Sequence, residues 1–93
     1  MLARRVRTKA GELDMVACRA GLLAFIEVKF RPTLGDAASS LSLRQRTRLL
    51  AAAEAWLGEH PGEGQAGVRF DVIVVDPQGR ARRISDAFRL GDL

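Results

Sequence analysis

Ninety-three residues, 47% of them apolar, suffice for one small domain with a modest core and not for two independent cores. Fifteen basic residues, nearly all arginine, against eleven acidic ones leave a net charge of +4 and a pI near 10.6, a balance that favours a polyanion as partner. One cysteine excludes an internal disulfide, no apolar run reaches the ~18 residues of a membrane span, and the amino terminus lacks a secretion signal's apolar segment; the expectation is a reducing cytoplasm.

In chain order, residues 4–9 read as a basic edge strand and Ala10-Gly11 as its turn. Residues 12–17 alternate, which predicts Glu12, Asp14 and Val16 on one face of a strand. Cys18-Arg19-Ala20-Gly21 is short enough for a hairpin connection. Residues 22–30 then alternate again: Leu23, Phe25, Glu27 and Lys29 point one way, Leu22, Ala24, Ile26 and Val28 the other. A hairpin in suitable register sets the two acidic faces side by side. Residues 31–40, with Pro32 and Gly35, form a turn-rich connection.

The spacing predicts a helix over 42–57, capped by Ser42, with an apolar side made by Leu43, Leu50, Ala53 and Leu57 beside Leu49, Ala52 and Trp56. Gly58 is expected to stop it, and residues 59–67 to be a flexible link in which His60 is loop surface. Residues 68–75 are the most hydrophobic strand, Asp76-Pro77-Gln78-Gly79 a turn and 80–84 a shorter returning strand. Ser85-Asp86-Ala87-Phe88 is expected to make a final helical turn that tucks Phe88 under the sheet. Trp56 and Phe70 read as core, since both lie in apolar packing faces.

Carboxylates gathered at a sheet centre repel one another and lose hydration, so a cation is the natural partner. Hard oxygen ligands select Mg2+ or Mn2+, and with only Cys18 and His60 to offer softer donors the composition argues against zinc. No nucleophilic triad can be assembled around Cys18. Arg44, Arg46 and Arg48 stand near the helix start, where each cation opposes the helix dipole at about 0.3 to 1 kcal/mol. Phosphate contact would explain them; so would a solvated basic face.

Gly11-Glu12-Leu13-Asp14, Phe25-Ile26-Glu27-Val28-Lys29, Arg44-Gln45-Arg46, Arg69-Phe70-Asp71-Val72 and Asp86-Ala87-Phe88 form an ordered series over residues 6–88. In that series the chain resembles the UPF0102, or YraN-like, family, which looks like a branch of the PD-(D/E)xK nuclease superfamily related to archaeal Holliday-junction resolvases. The resemblance implies a single α/β domain over residues 1–93, with a small mixed central sheet flanked by a helix, a restriction-endonuclease-like core. It implies that Asp14 and Glu27 are metal-binding carboxylates, that Lys29 orients water and offsets charge at the scissile phosphate, that Glu12 supports them, and that Gln45 is the helix glutamine some branches direct at the active centre. Family members carry an amino-terminal helix before the first strand, and a chain starting at Met1 almost on that strand is expected to lack it.

The implied chemistry is magnesium-assisted hydrolysis of DNA, with the ion held by Asp14, Glu27 and the backbone carbonyl of Val28. Arg31, Arg44, Arg46 and Arg48 are candidates to hold neighbouring phosphates. Dimerisation would complete the burial of so small a core. Two other readings stay open: a nucleic-acid-binding protein with a nuclease fold and little activity, and a small interaction protein in which Asp14 and Glu27 simply pair with Lys29 and arginines. Asp71, sharing a strand face with Arg69, is expected to be structural, and Gln45 equally fits a helix surface position.

Overall fold

Alternating apolar residues and tight turns produce five strands and one helix in the computed structural model, which describes residues 2–35 and 41–88. The order is β1 (Leu2–Thr8), β2 (Gly11–Arg19), β3 (Leu22–Phe30), α1 (Leu43–Glu59), β4 (Gly67–Val75) and β5 (Ala81–Phe88). The strands lie in the sheet as they lie in the chain, β1-β2-β3-β4-β5. All neighbours are antiparallel except β3 and β4, which run parallel because α1 carries the chain back between them. This mixed sheet with one flanking helix is a restriction-endonuclease-like core.

The turn between β2 and β3 is two residues long, because Arg19 already pairs with Leu22. Ala20 and Gly21 both take positive φ, 51° and 82°, as a tight hairpin turn of the primed type requires. Asp76 closes the last turn: buried, it accepts from the Gln78 and Arg80 N–H groups at 3.0 and 2.8 Å and from Arg80 Nε at 2.6 Å. Burial pushes its carboxyl up, and the hydrogen bonds and charge of Arg80, with the Gln78 N–H, more than reverse this and leave it below the ordinary range.

The helix-facing side of the sheet gathers Leu13, Val16, Leu23, Phe25, Phe70, Val72 and Val74 against Leu49, Leu50, Ala52, Ala53 and Trp56. Phe25 centres this cluster, edge-on to Trp56 with ring centroids 5.8 Å apart and stacked on Phe70 at 5.6 Å. On the opposite side Ala24 and Ile26 are buried, and Ile26 lies beside Asp71 in the parallel register. Asp71 is fully buried, and its Oδ2 receives Arg83 Nη2 at 2.6 Å and Arg69 Nη2 at 3.2 Å. It is a structural clamp between β4 and β5.

Four expectations are corrected. β5 continues as strand to Phe88, which pairs with Phe70 past an irregularity between Phe70 and Val72, so there is no helical turn at 85–88. The open backbone edge of β4 outweighs a weak local helical signal. Leu43 is 65% exposed, and burial along α1 begins only at Leu49. Gly58 lies inside the last turn of the helix, and His60 is its C-cap. Far from being plain loop, His60 places Nδ1 2.8 Å from the Trp56 carbonyl oxygen and stacks its ring on Trp56 at 3.9 Å. Among the described residues, no helix is long and apolar enough to cross a membrane.

Candidate active site

A fifth correction creates the site. Period two puts Leu13 and Val16 on opposite faces of β2, yet both are buried in the helix-side core. The strand must therefore change phase between them, at Asp14-Met15. Its pairing with β3 is regular from Arg19↔Leu22 to Met15↔Ile26 and stops there. Beyond that point the Asp14 side chain substitutes for the ladder: the Val28 N–H donates to Asp14 Oδ2 at 2.9 Å. β1 is disturbed at the same level, for Arg4 pairs with Met15 and Val6 with Leu13, while Arg5 between them takes a φ of 49°.

Such an interruption re-aims side chains. Asp14 comes within hydrogen-bonding reach of the Glu27 carboxyl, and Lys29 Nζ lies 3.5 Å from Glu27 Oε1. Glu27 and Lys29 share a face of β3 as their spacing predicts, both with little exposed side chain, at 12% and 14%. The Glu27 pKa is raised to about 7, first by burial and then by the hydrogen bond and charge of Asp14, against which Lys29 works only in part. The pair is thus short of positive charge.

That shortage, with carboxylate oxygens as donors, fits a hard divalent cation. Among the described residues no group of three or more His, Cys, Asp or Glu side chains is placed to hold a metal. Two carboxylates satisfy magnesium, which keeps several waters and takes further oxygens from a phosphate substrate, better than they satisfy a metal that needs a full protein cage.

The other expected site residues lie around this centre at varying remove. Glu12 is exposed on β2, paired with Arg7 across the hairpin. Arg31 follows β3 directly; its N–H donates to the Val75 carbonyl at 3.0 Å and its Nη1 to the Phe30 carbonyl at 2.9 Å. Gln45 closes a capping box: its N–H donates to Ser42 Oγ at 3.2 Å, and its Oε1 accepts from the Ser42 N–H at 2.9 Å. Only its amide nitrogen is left for any other role. Arg44 and Arg48 line a broad shallow surface along α1 with Leu43 and Thr47, separate from the cleft at Asp14, while Arg46 is half-buried. Arg48 rests on the β1–β2 turn, where a Cβ on Gly11 would meet its Cγ at 3.9 Å.

Arg5 was not legible as a neighbour of the site. With Met15, Val28 and Phe30 it lines the cleft that opens beside Asp14. No pattern of apolar residues signals a phase change in a strand; the nearest hint is an acidic residue inside an otherwise apolar run.

Known proteins share this chain over most of its length. A UPF0102 protein of Granulibacter bethesdensis is 60% identical over 92 residues, 99% of this chain and 58% of the relative. One from Azorhizobium caulinodans is 52% identical over 90 residues, covering 97% of this chain and 69% of the relative. Another, from Rhodopseudomonas palustris, is 47% identical over 88 residues, covering 95% and 68%. The chain therefore spans between about three fifths and two thirds of these relatives' lengths. The profile described as "Uncharacterised protein family UPF0102" matches residues 1–75, a segment that holds Asp14, Glu27 and Lys29, and the chain belongs to that family.

Proposed function

We propose that this protein is a divalent-metal-dependent endonuclease that hydrolyses phosphodiester bonds in DNA, branched DNA included. The observation that carries the reading is the convergence of Asp14, Glu27 and Lys29 where the β2–β3 ladder breaks. Two carboxylates short of positive charge beside one lysine suit a negatively charged phosphoryl group that arrives with its cation. Asp14, Glu27 and the Val28 carbonyl would hold Mg2+ or Mn2+, which when bound supplies Lewis acidity at the phosphate and lowers the pKa of water.

The chain's own residues have separable tasks. Asp14 is fixed by the Val28 N–H and so presents its remaining oxygen in a set direction. Glu27, left short of positive charge beside Asp14, is suited to offer its carboxylate to the cation, and Lys29 to orient the attacking water. Lys29 balances charge that develops on the phosphoryl oxygens. Arg31, Arg44, Arg46 and Arg48 supply cations for flanking phosphates, which position a substrate without reading its bases.

Labelled linear, single-stranded and four-way-branched DNA incubated in magnesium or manganese tests this reading. Cleavage is expected from the wild type, abolished by EDTA, and lowered at least about a hundredfold in Glu27→Ala and in Lys29→Ala. Salt-sensitive binding without cleavage in any metal would instead favour a binding protein with an incomplete site. That second reading draws on there being, among the described residues, no group of three or more His, Cys, Asp or Glu side chains placed to hold a metal.

A further inference from the structure

Phe30 is the most exposed large apolar side chain among the described residues, 74% open at the end of β3 directly after Lys29. Single exposed apolar residues are common and carry no meaning alone. This one has a particular setting. It borders two hollows of about 280 Å³, one shared with Arg5, Asp14, Met15 and Val28, the other with Arg31, Pro32, Val75, Asp76 and Pro77. Its ring therefore stands as a rim between two depressions. One of them contains a carboxylate of the catalytic set and a cation.

That cation is Arg5. It is exposed, and among the described residues it forms no hydrogen bond or ion pair. Its left-handed backbone, at the level where Asp14 leaves the ladder, is a conformation that a residue with a Cβ rarely adopts. Strain of this kind persists where surrounding structure enforces it, and it gathers at functional sites. An open aromatic face, a guanidinium with no partner among the described residues and a carboxylate of the proposed metal site lie in one cleft, and suit the base, the flanking phosphate and the cation-bound reacting phosphate of a nucleotide.

We propose that the cleft between Arg5 and Phe30 is a nucleotide subsite, in which an unpaired base stacks on Phe30 and Arg5 holds the phosphate next to the one at Asp14, the carboxylate that reaches Glu27 on the other face of β3 where the ladder breaks. This rests on the phosphodiester reading for the position of the reacting phosphate. It extends that reading to a substrate class: strands with a base free to leave its stack beside the cut, as at junctions, gaps and ends. Stacking on an aromatic side chain is tolerant of sequence, so no base preference is expected.

The test uses a single-stranded oligonucleotide carrying 2-aminopurine, titrated with the purified protein in EDTA, where hydrolysis is off. The wild type should quench the fluorophore. Phe30→Ala should abolish the quench and weaken binding by about tenfold, whereas Phe30→Trp should preserve both. Arg5→Ala should keep the quench at saturation and lower the dependence of log affinity on log salt by about 0.7. The exposure of both side chains keeps the variants foldable, which melting curves check. Unchanged quench and affinity in Phe30→Ala, or no binding of the oligonucleotide by the wild type, overturns the subsite. A parallel cleavage assay in magnesium separates the two ideas. A wild type that cuts while Phe30→Ala binds and quenches normally removes the subsite and leaves the nuclease; stacking with no cleavage in any metal upholds the subsite and removes hydrolysis.

Discussion

Three part-buried or buried carboxylates show how differently this chain treats charge. Asp71 is clamped by two arginines and Asp76 is held by Arg80 and backbone N–H groups, so each is compensated by residues that serve folding. Glu27 is left with a neighbouring carboxylate and a single lysine. An unfolded glutamate titrates near 4.5 and this one at about 7, so between those values the folded chain binds more protons than the unfolded chain. Its contribution to stability is complete below about pH 4.5 and is lost as pH rises through about 7. Glu27→Gln should remove that part of the pH dependence and leave the metal-free protein more stable than wild type at about pH 8. Thermal melts in EDTA across this range check it, and parallel profiles for the two proteins would refute the assignment.

At the scale of elements, α1 depends on its first turn. That turn contains no acidic residue to meet the helix dipole and carries arginine, so the capping box of Ser42 and Gln45 is its principal local support. Ser42→Ala should cost about 1 kcal/mol, read from a lowered urea midpoint with unchanged slope. Gln45→Ala should cost less, and a turnover loss far beyond its stability loss would assign its amide nitrogen a task at the substrate. The strands of the sheet, the helix and the pairing of Glu27 with Lys29 could all be read from residue spacing, because each follows from a repeat of two or from a cap followed by an apolar stripe. What escaped were features that local pattern does not encode. The phase change at Asp14 depends on β1 and β3 acting together on β2; strand at 85–88 depends on the open edge of β4; His60 depends on a ring of Trp56 that only the completed helix presents. The same limit applies to the candidate site: Asp14, Glu27 and Lys29 stand out by type, spacing and family resemblance, whereas Arg5 comes near Asp14 only through the fold.

For the whole molecule, the excess of four positive charges favours a polyanion as the proposed partner, and the arginines of α1 give part of that excess a location. Replacing Arg44 and Arg48 together with alanine should lower the slope of log affinity against log salt for duplex DNA by about two, equally for unrelated sequences. Anisotropy titrations between low and moderate salt measure this. A loss confined to one sequence would mean that these side chains read bases.

The hydrogen bond from Val28 to Asp14 makes one carboxylate both a rung of the sheet and a member of the proposed catalytic set. Architecture and the proposed chemistry are therefore confounded at this position: an alanine there would loosen the frame and remove the metal-site carboxylate in the same stroke. Asparagine keeps an oxygen for the rung while giving up the charge. On the proposed hydrolysis, it is the substitution expected to give a properly assembled but inert protein in which a bound substrate could be caught intact.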